Sequence, residues 1–141
     1  MSNTIDVLII EDSPERISFF KGLYKYSNCS FADNLRDAIE LLQSSTFNII
    51  HLDYDLADGF NSEKAAELIR SSHSNAVIII HSENPQGVER LLEIVPDGYP
   101  IPFTVIQSKN ELSNRFKAAL NIPGKQQFSR IREILQPYFN K

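Results

Sequence analysis

Short apolar runs, with stretches of helical periodicity between them, constrain the fold of this chain more than any other feature. The clearest runs lie at residues 5–10, 47–52, 76–80 and 103–106, and a weaker one lies at 29–32. Each run is short and rich in Ile, Val or Phe, so each predicts a strand rather than a helix. Most of the clear runs are nearly continuous, which is typical of strands covered on both faces.

The stretches between the runs carry apolar residues at spacings of three and four, which predicts amphipathic helices. These helices are expected at residues 14–24, 34–43, 62–70, 86–94 and 110–120. Ser13 and Pro14 have the residue types of an N-cap and a first helical position. Ser108 followed by Glu111 has the pattern of a capping box at the start of a later helix.

Strands that alternate with helices predict an α/β protein with a doubly wound parallel sheet. Five strands and five helices in this order favour the flavodoxin-like arrangement, with strand order 2-1-3-4-5. Residues 1–121 would form this domain, and residues 122–141 would form a C-terminal helical extension.

The predicted extension follows a break at residues 121–124, and one of its sides is apolar. That side carries Phe128, Ile131, Leu135 and Tyr138, and the helix is expected to end near Pro137. Such a stripe usually packs on its own domain. If it is instead exposed, it would form a homodimer or partner surface.

The composition excludes several classes of protein. The chain has 141 residues, with 14 Lys and Arg against 18 Asp and Glu and a formal net charge of −4. This balance argues against a general nucleic-acid binder, and we expect no DNA-binding domain. The single cysteine, Cys29, excludes a disulfide framework, and no apolar run approaches the ~18 residues of a membrane span. Because the N-terminus lacks a basic n-region, we expect no signal peptide and a cytoplasmic protein.

Polar side chains follow the predicted strands, and ligands of open α/β sheets bind beyond the carboxyl ends of their strands. Glu11 and Asp12 follow the first strand, Asp53 ends the third, Ser82 follows the fourth, and Lys109 follows the fifth. Asp53 directly follows a buried strand, where an unpaired charge is costly, so its carboxylate requires a cation. Carboxylates together with a phosphate oxygen are typical ligands of Mg²⁺. The sequence therefore predicts a Mg²⁺ site at Glu11, Asp12 and Asp53, with Ser82 and Lys109 facing a phosphoryl group.

The same residues resemble the receiver domain of two-component response regulators. The resemblance rests on residues 7–16 (VLIIEDSPER), 31–42 (FADNLRDAIELL), 49–59 (IIHLDYDLADG), 78–83 (IIIHSE) and 108–110 (SKN). It implies that Glu11 and Asp12 bind Mg²⁺ together with the backbone carbonyl of Asp55. It also implies that Asp53 accepts a phosphoryl group from a histidine kinase or phosphotransfer protein, and that the output is contact with a downstream protein.

The resemblance further implies that Ser82 and Lys109 contact the phosphoryl oxygens. The chain departs from the receiver pattern at the aromatic residue expected three positions before that lysine, where it has Ile106. An aliphatic side chain cannot make the contact to the Ser82 hydroxyl that a tyrosine makes. We therefore expect a small conformational response to phosphorylation.

A second resemblance leads to a different class of function. LDYDLADG at residues 52–59 and HSENPQG at residues 81–87 are similar to a receiver-like branch described as cyclic-phosphate processing receiver domains. It implies that His81 is an acid or base, that Asn84 orients a phosphate, and that Asp53 and Asp55 bind a metal. The chain would then be an enzyme acting on cyclic or terminal phosphates of nucleotides or RNA.

The HSENPQG motif also has a purely structural interpretation, as a turn at a strand end where Asn84 and Pro85 open a helix. A third hypothesis for the whole chain is a degenerate receiver that acts only as an interaction module. Of the other histidines, His51 is expected to pack in the core, because it lies within a predicted strand. His73 lies in a polar loop and is expected to be solvated.

Overall fold

The computed structural model of the chain describes residues 4–120 and 125–138, without the side chains of residues 125, 126 and 138. Five strands form one parallel sheet with the order β2-β1-β3-β4-β5. The strands are β1 (Asp6–Ile10), β2 (Asn28–Ala32), β3 (Ile49–Leu52), β4 (Val77–Ile80) and β5 (Tyr99–Pro100). The predicted fold class and strand order are confirmed.

Helices connect the strands and cover both faces of the sheet. They are α1 (Pro14–Leu23), α2 (Leu35–Ser44), α3 (Glu63–Ser72), α4 (Pro85–Ile94), α5 (Phe103–Gln107), α6 (Glu111–Ala119) and α7 (Lys125–Leu135). Short 3-10 turns lie at Ala57–Gly59 and Gln136–Tyr138. Within the described ranges, no helix is both long and apolar enough to span a bilayer.

The fifth strand is not where the sequence predicts it. Residues 103–106 begin helix α5, while the strand is Tyr99–Pro100 and pairs with Ile79 and Ile80 of β4. The prediction is wrong because Pro100, in the strand, and Pro102, just after it, give residues 99–102 a sequence that is not typical of a strand. Proline cannot donate a ladder hydrogen bond, and it is confined to edge strands such as this one.

Alternate residues of the central strands face two separate cores, as expected for a parallel sheet buried on both sides. Val7 and Ile9 of β1 face α1, α5, α6 and α7 in one core. Leu8 and Ile10 face α2, α3 and α4 in the other. Both cores lie along the strands, which leaves the carboxyl ends of the strands free to carry polar groups.

Helix α7 belongs to the first of these cores. Ile131, Ile134 and Leu135 are at most 3% exposed and pack with the aromatic residues of α1 and α6. Phe128 is half-buried against the same cluster. Packing of the apolar stripe on its own domain is therefore confirmed for these residues, while the Tyr138 side chain and the break at 121–124 lie outside the described residues.

Two local expectations hold and two need correction. Ser13 caps α1 with Pro14 as its first residue, and His51 is fully buried. The cap of α6 is Asn110, not Ser108, because Asn110 and Ser113 form the reciprocal pair of side-chain to backbone hydrogen bonds. His73 is buried rather than solvated, because its Nε2 donates to a backbone carbonyl oxygen of α2 at 2.8 Å.

Candidate functional site

Three strand ends converge on one buried cluster. Glu11 follows β1, Asp53 follows β3 and His81 follows β4, and one ligand atom from each lies within 4.8 Å of the others. Register explains the meeting, because Ile10 pairs with Leu52 and Leu52 pairs with Ile80. The residue after each of these paired positions therefore reaches the same edge of the sheet.

Glu11 is 1% exposed, and its hydrogen bonds hold it in place. Its Oε2 accepts from the backbone N–H groups of Asp12 and Ser13, at 3.1 and 3.0 Å. Its Oε1 accepts from His81 Nε2 at 2.7 Å. Burial raises the pKa of Glu11, but the bond and the charge of His81 outweigh it, so the pKa lies below its usual value. Glu11 is thus an ionised and well-bonded carboxylate.

Asp53 is 6% exposed and less well satisfied than Glu11. Its Oδ1 accepts from the Tyr54 N–H at 2.9 Å, and its backbone carbonyl accepts from the Ser62 hydroxyl. Burial raises the pKa of Asp53 to about 6; the charge of His81 opposes the rise, and the charge of Glu11 adds to it. Asp53 is therefore protonated more readily than an ordinary aspartate, and a nearby cation would favour its ionised form.

His81 is fully buried, so the structure does not place it where a ligand would touch it directly. One ring nitrogen bonds to Glu11, and Nδ1 has no hydrogen-bond partner in the part of the chain described. The ring centroid lies 5.2 Å from Phe20 and 6.5 Å from Phe103. In this arrangement His81 orients and polarises Glu11.

Asp12 and Ser82 are the sequence neighbours of two members of the buried cluster, Glu11 and His81. Asp12 is half-buried, and its pKa is raised by burial and by the adjacent charge of Glu11. Ser82 is 3% exposed, and its Oγ accepts from the Asn84 N–H at 3.1 Å. Each residue lies two positions after the end of its strand, β1 for Asp12 and β4 for Ser82.

The HSENPQG motif opens helix α4, so the structural interpretation of its turn is confirmed. Asn84 is the N-cap, with its Oδ1 accepting from the Gly87 N–H at 3.2 Å. Its Nδ2 donates to Asp55 Oδ2 at 3.1 Å, which links this loop to the loop after β3. Asp55 is exposed, and its carboxylate is bonded to Asn84 rather than to the buried cluster.

The structure does not bring Lys109 into this cluster. Lys109 is exposed and lies on the loop between α5 and α6, because β5 ends at Pro100 and not at residue 106. The residues that directly follow β5 are Ile101, Pro102 and Phe103, none of which carries a charge. Within the described residues, no ion pair joins Lys109 to an acidic side chain of the site.

Sequence reasoning missed the cation that does lie at this cluster, which is Arg16 of α1. Its guanidinium is 3.6 Å from Glu11 Oε1 and 4.0 Å from Asp53 Oδ2. Arg16 is in the first turn of a helix whose N-cap is Ser13, close in sequence to the acidic pair. This sequence position could have predicted that Arg16 is near the site, because a side chain in the first turn of α1 remains near the end of β1.

The residues present fit a divalent cation. Glu11, Asp12 and Asp53 offer carboxylate oxygens, which are the ligands that Mg²⁺ prefers. Burial raises the pKa values of Asp12 and Asp53, and repulsion by the neighbouring charge of Glu11 adds to both shifts. A cation held by these carboxylates would relieve that repulsion.

Comparison with known proteins agrees with the receiver-like fold. The chain matches the cyclic-phosphate processing receiver domain family over residues 8–96, and it belongs to that family. No curated protein matches the chain in sequence. The resemblance to receiver domains that the sequence suggested is confirmed.

Solved structures of receiver domains share the fold at low sequence identity. One is the response regulator TrrA from Thermotoga maritima in complex with Mg²⁺–BeF, at 21% identity and TM-score 0.62, covering 82% of this chain and 98% of that one. Another is the receiver domain of a sensor histidine kinase from Pseudomonas aeruginosa, with a magnesium ion in its active-site cleft. It is 14% identical with TM-score 0.63, covering 98% of this chain and 99% of that one.

Proposed function

We propose that this domain is a receiver whose Asp53 accepts a phosphoryl group in the presence of Mg²⁺. The observation that carries the proposal is the setting of Asp53. It is a buried carboxylate at the carboxyl end of a central strand, flanked by Glu11 and Arg16, with its pKa raised to about 6. Such a group gains from a nearby cation, and its position suits attack on a phosphorus atom brought to the sheet edge.

The proposed step is a phosphoryl transfer. A carboxylate oxygen of Asp53 attacks the phosphorus of a phosphohistidine, so that a P–O bond forms and the P–N bond breaks. The departing imidazole takes its proton from solvent. The donor would be a histidine kinase or a phosphotransfer protein, and the phosphorylated domain would act by binding a downstream protein.

The chain's own residues divide the remaining work. Glu11 is fixed by His81 and by two backbone N–H groups, so it is a preorganised carboxylate. Glu11, Asp12, Asp53 and the backbone carbonyl of Asp55 would hold Mg²⁺, which offsets negative charge on a transferring phosphoryl group. Ser82 would contact a phosphoryl oxygen through its hydroxyl. The Mg²⁺-bound receiver domains of similar fold support this assignment.

A second candidate is hydrolysis of a cyclic phosphate. It is favoured by the family to which the chain belongs and by the His81–Glu11 pair beside Asp53. Asp53, with its pKa near 6, would take a proton from water. The water oxygen would attack phosphorus, one P–O bond of the ring would break, and the departing oxygen would be protonated from solvent.

The decisive experiment exposes the protein to acetyl phosphate and Mg²⁺ and locates any phosphate by mass spectrometry. We expect one phosphoryl group in the wild type, none in Asp53→Asn, and an unchanged level in Asp58→Asn. The last variant is a matched control, because Asp58 is exposed in the same loop and its positive φ of 63° suits asparagine. Equal incorporation in Asp53→Asn would overturn the assignment.

A parallel incubation with a 2′,3′-cyclic nucleotide tests the second candidate. Release of a phosphomonoester by the wild type but not by Asp53→Asn would favour the enzyme over the phosphoacceptor. If neither phosphorylation nor turnover occurs, the domain would be an interaction module, as the third hypothesis holds.

A further inference from the structure

The site carries more negative than positive charge. Its cation is Arg16 on α1, whereas the receiver pattern suggested by the sequence placed a lysine after the fifth strand. Glu11, Asp12 and Asp53 contribute three carboxylates, whereas the strand that should supply a lysine ends in uncharged residues. The positive group beside Glu11 and Asp53 comes instead from the first turn of α1, as Arg16. A phosphoryl group entering the site adds more negative charge and needs a donor of this kind.

The Arg16 guanidinium contacts an aromatic ring as well as the carboxylates. Its guanidinium carbon lies 4.9 Å from the centroid of the Phe103 ring, a cation–π arrangement. Phe103 is itself fixed by edge-to-face contacts with Phe19 and Phe20, at centroid distances of 5.4 and 5.6 Å. The segment after β5 therefore provides a platform for a cation rather than the cation itself.

Among residues 4–120 and 125–138, the Arg16 guanidinium makes ion pairs but no hydrogen bond to an acidic side chain of the site. The distances of 3.6 Å to Glu11 and 4.0 Å to Asp53 are ion pairs beyond hydrogen-bond length. The contact with Phe103 is a cation–π interaction, which does not pair the guanidinium N–H groups with an oxygen acceptor. The side chain is 28% exposed, so these donors can meet an incoming ligand.

We propose that Arg16 is the phosphate-contacting cation of this domain, with its planar N–H groups binding phosphoryl oxygens at Asp53 while Phe103 holds the guanidinium in place. This inference rests on the proposed function. A guanidinium can bind two phosphate oxygens at once, and the ion-pair distances place it within a small movement of Asp53. The ligand chemistry is a phosphoryl group, carried either by Asp53 or by a cyclic phosphate.

The test uses the full chain and titrates beryllofluoride, which stands in for a phosphoryl group on Asp53, by calorimetry at fixed Mg²⁺. Arg16→Ala should weaken this binding by about tenfold to a hundredfold, the loss expected for charge-assisted hydrogen bonds. Arg16→Lys keeps the charge but not the planar guanidinium, so its beryllofluoride affinity should lie between those of the wild type and Arg16→Ala. Lys109→Ala is the matched control and should bind as the wild type does.

A titration with Mg²⁺ alone separates phosphate contact from general damage. Because Arg16→Ala removes a positive charge beside the carboxylates, its Mg²⁺ affinity should be unchanged or higher. Loss of both Mg²⁺ and beryllofluoride binding would mean a structural role and would overturn the inference. Phe103→Leu removes the platform but not the charge, and it should weaken beryllofluoride binding by less than Arg16→Ala does.

The outcomes distinguish this inference from the proposed function. Tight beryllofluoride binding by Arg16→Ala, or loss of binding in Lys109→Ala, would overturn the role of Arg16 and leave Asp53 as the acceptor. If the wild type binds no beryllofluoride but binds a 2′,3′-cyclic nucleotide in an Arg16-dependent way, the phosphoryl group belongs to a substrate. If the wild type binds neither probe, the proposed function fails and this inference fails with it.

Discussion

At the scale of single residues, the fold stabilises the ionised form of Glu11 more than that of Asp53. Glu11 is stabilised as an anion by His81 and two backbone N–H groups. Asp53 lies beside it with one backbone bond and a more distant Arg16. Two carboxylates on neighbouring strands thus have pKa values displaced in opposite directions, which is typical of functional sites.

This difference predicts how stability depends on pH. The folded-state pKa of Asp53, about 6, lies above its ordinary value of 3.8. Ionisation of Asp53 therefore lowers the free energy of unfolding progressively as pH rises from about 4 to about 6, and the loss is complete above pH 6. Asp53→Asn should raise that free energy by roughly 1–3 kcal/mol at pH 7 and by little at pH 4.

Denaturant unfolding across this pH range checks the expectation, with Asp58→Asn as an exposed control that should follow the wild type. Parallel curves for Asp53→Asn and the wild type from pH 4 to pH 7 would show that Asp53 is not an uncompensated buried acid.

At the scale of elements, the start of α4 is clamped to the loop after β3. Asn84 caps α4 and also bonds to Asp55. The Tyr54 ring packs directly on Gly87, and its hydroxyl donates to Glu63 on α3. Since Tyr54 follows Asp53, this clamp fixes the backbone that carries the proposed acceptor.

Gly87→Ala tests the clamp. A Cβ at position 87 would overlap the Tyr54 ring, so Tyr54 must move and its bond to Glu63 should be lost. We expect a loss of about 1–3 kcal/mol in the free energy of unfolding, as for an overpacked site. Gly22→Ala in α1 is the control: its Cβ meets nothing within 4 Å, so better helix propensity should give a gain of up to about 1 kcal/mol. A Gly87→Ala protein more stable than the wild type would contradict the clamp.

A strand or site residue could be predicted where the residues that determine its position are close together in sequence. The apolar run of β3 and the acidic residue that ends it are adjacent in sequence, so both the strand and the position of Asp53 at its carboxyl end could be predicted. The β5 strand could not, because Pro100 and Pro102 are acceptable only at a sheet edge. The nearness of Arg16 to the site follows from its first-turn position in α1, but its contact with Phe103 joins residues that are distant in sequence and could not be predicted.

At the scale of the whole molecule, α7 completes a core that the five-stranded sheet leaves open. Ile131 is fully buried in a cluster with residues of β1, α1 and α6. The helix is therefore part of the hydrophobic core of the protein, although it follows the segment matched by the family.

Ile131→Ala should lower the free energy of unfolding by about 2–4 kcal/mol, because a large buried side chain leaves a cavity. Ser129→Ala, on the exposed side of the same helix, should change it by less than about 0.5 kcal/mol. Thermal and denaturant unfolding would measure both, and equal stabilities for the two variants would mean that α7 does not contribute to the core.

Pro100 in β5 and Pro102 just after it also limit how this molecule can bind others. The N–H groups of Ile101 and Phe103 donate inward, to the carbonyl oxygens of Ile80 and His81 at 2.9 Å. The alternate positions, whose N–H groups would point outward, are Pro100 and Pro102, which have none. The free edge on this side of the sheet therefore lacks the donors that another strand needs for pairing. Self-association or partner binding by strand addition is disfavoured here, and a contact on this side would have to be made by helices or side chains.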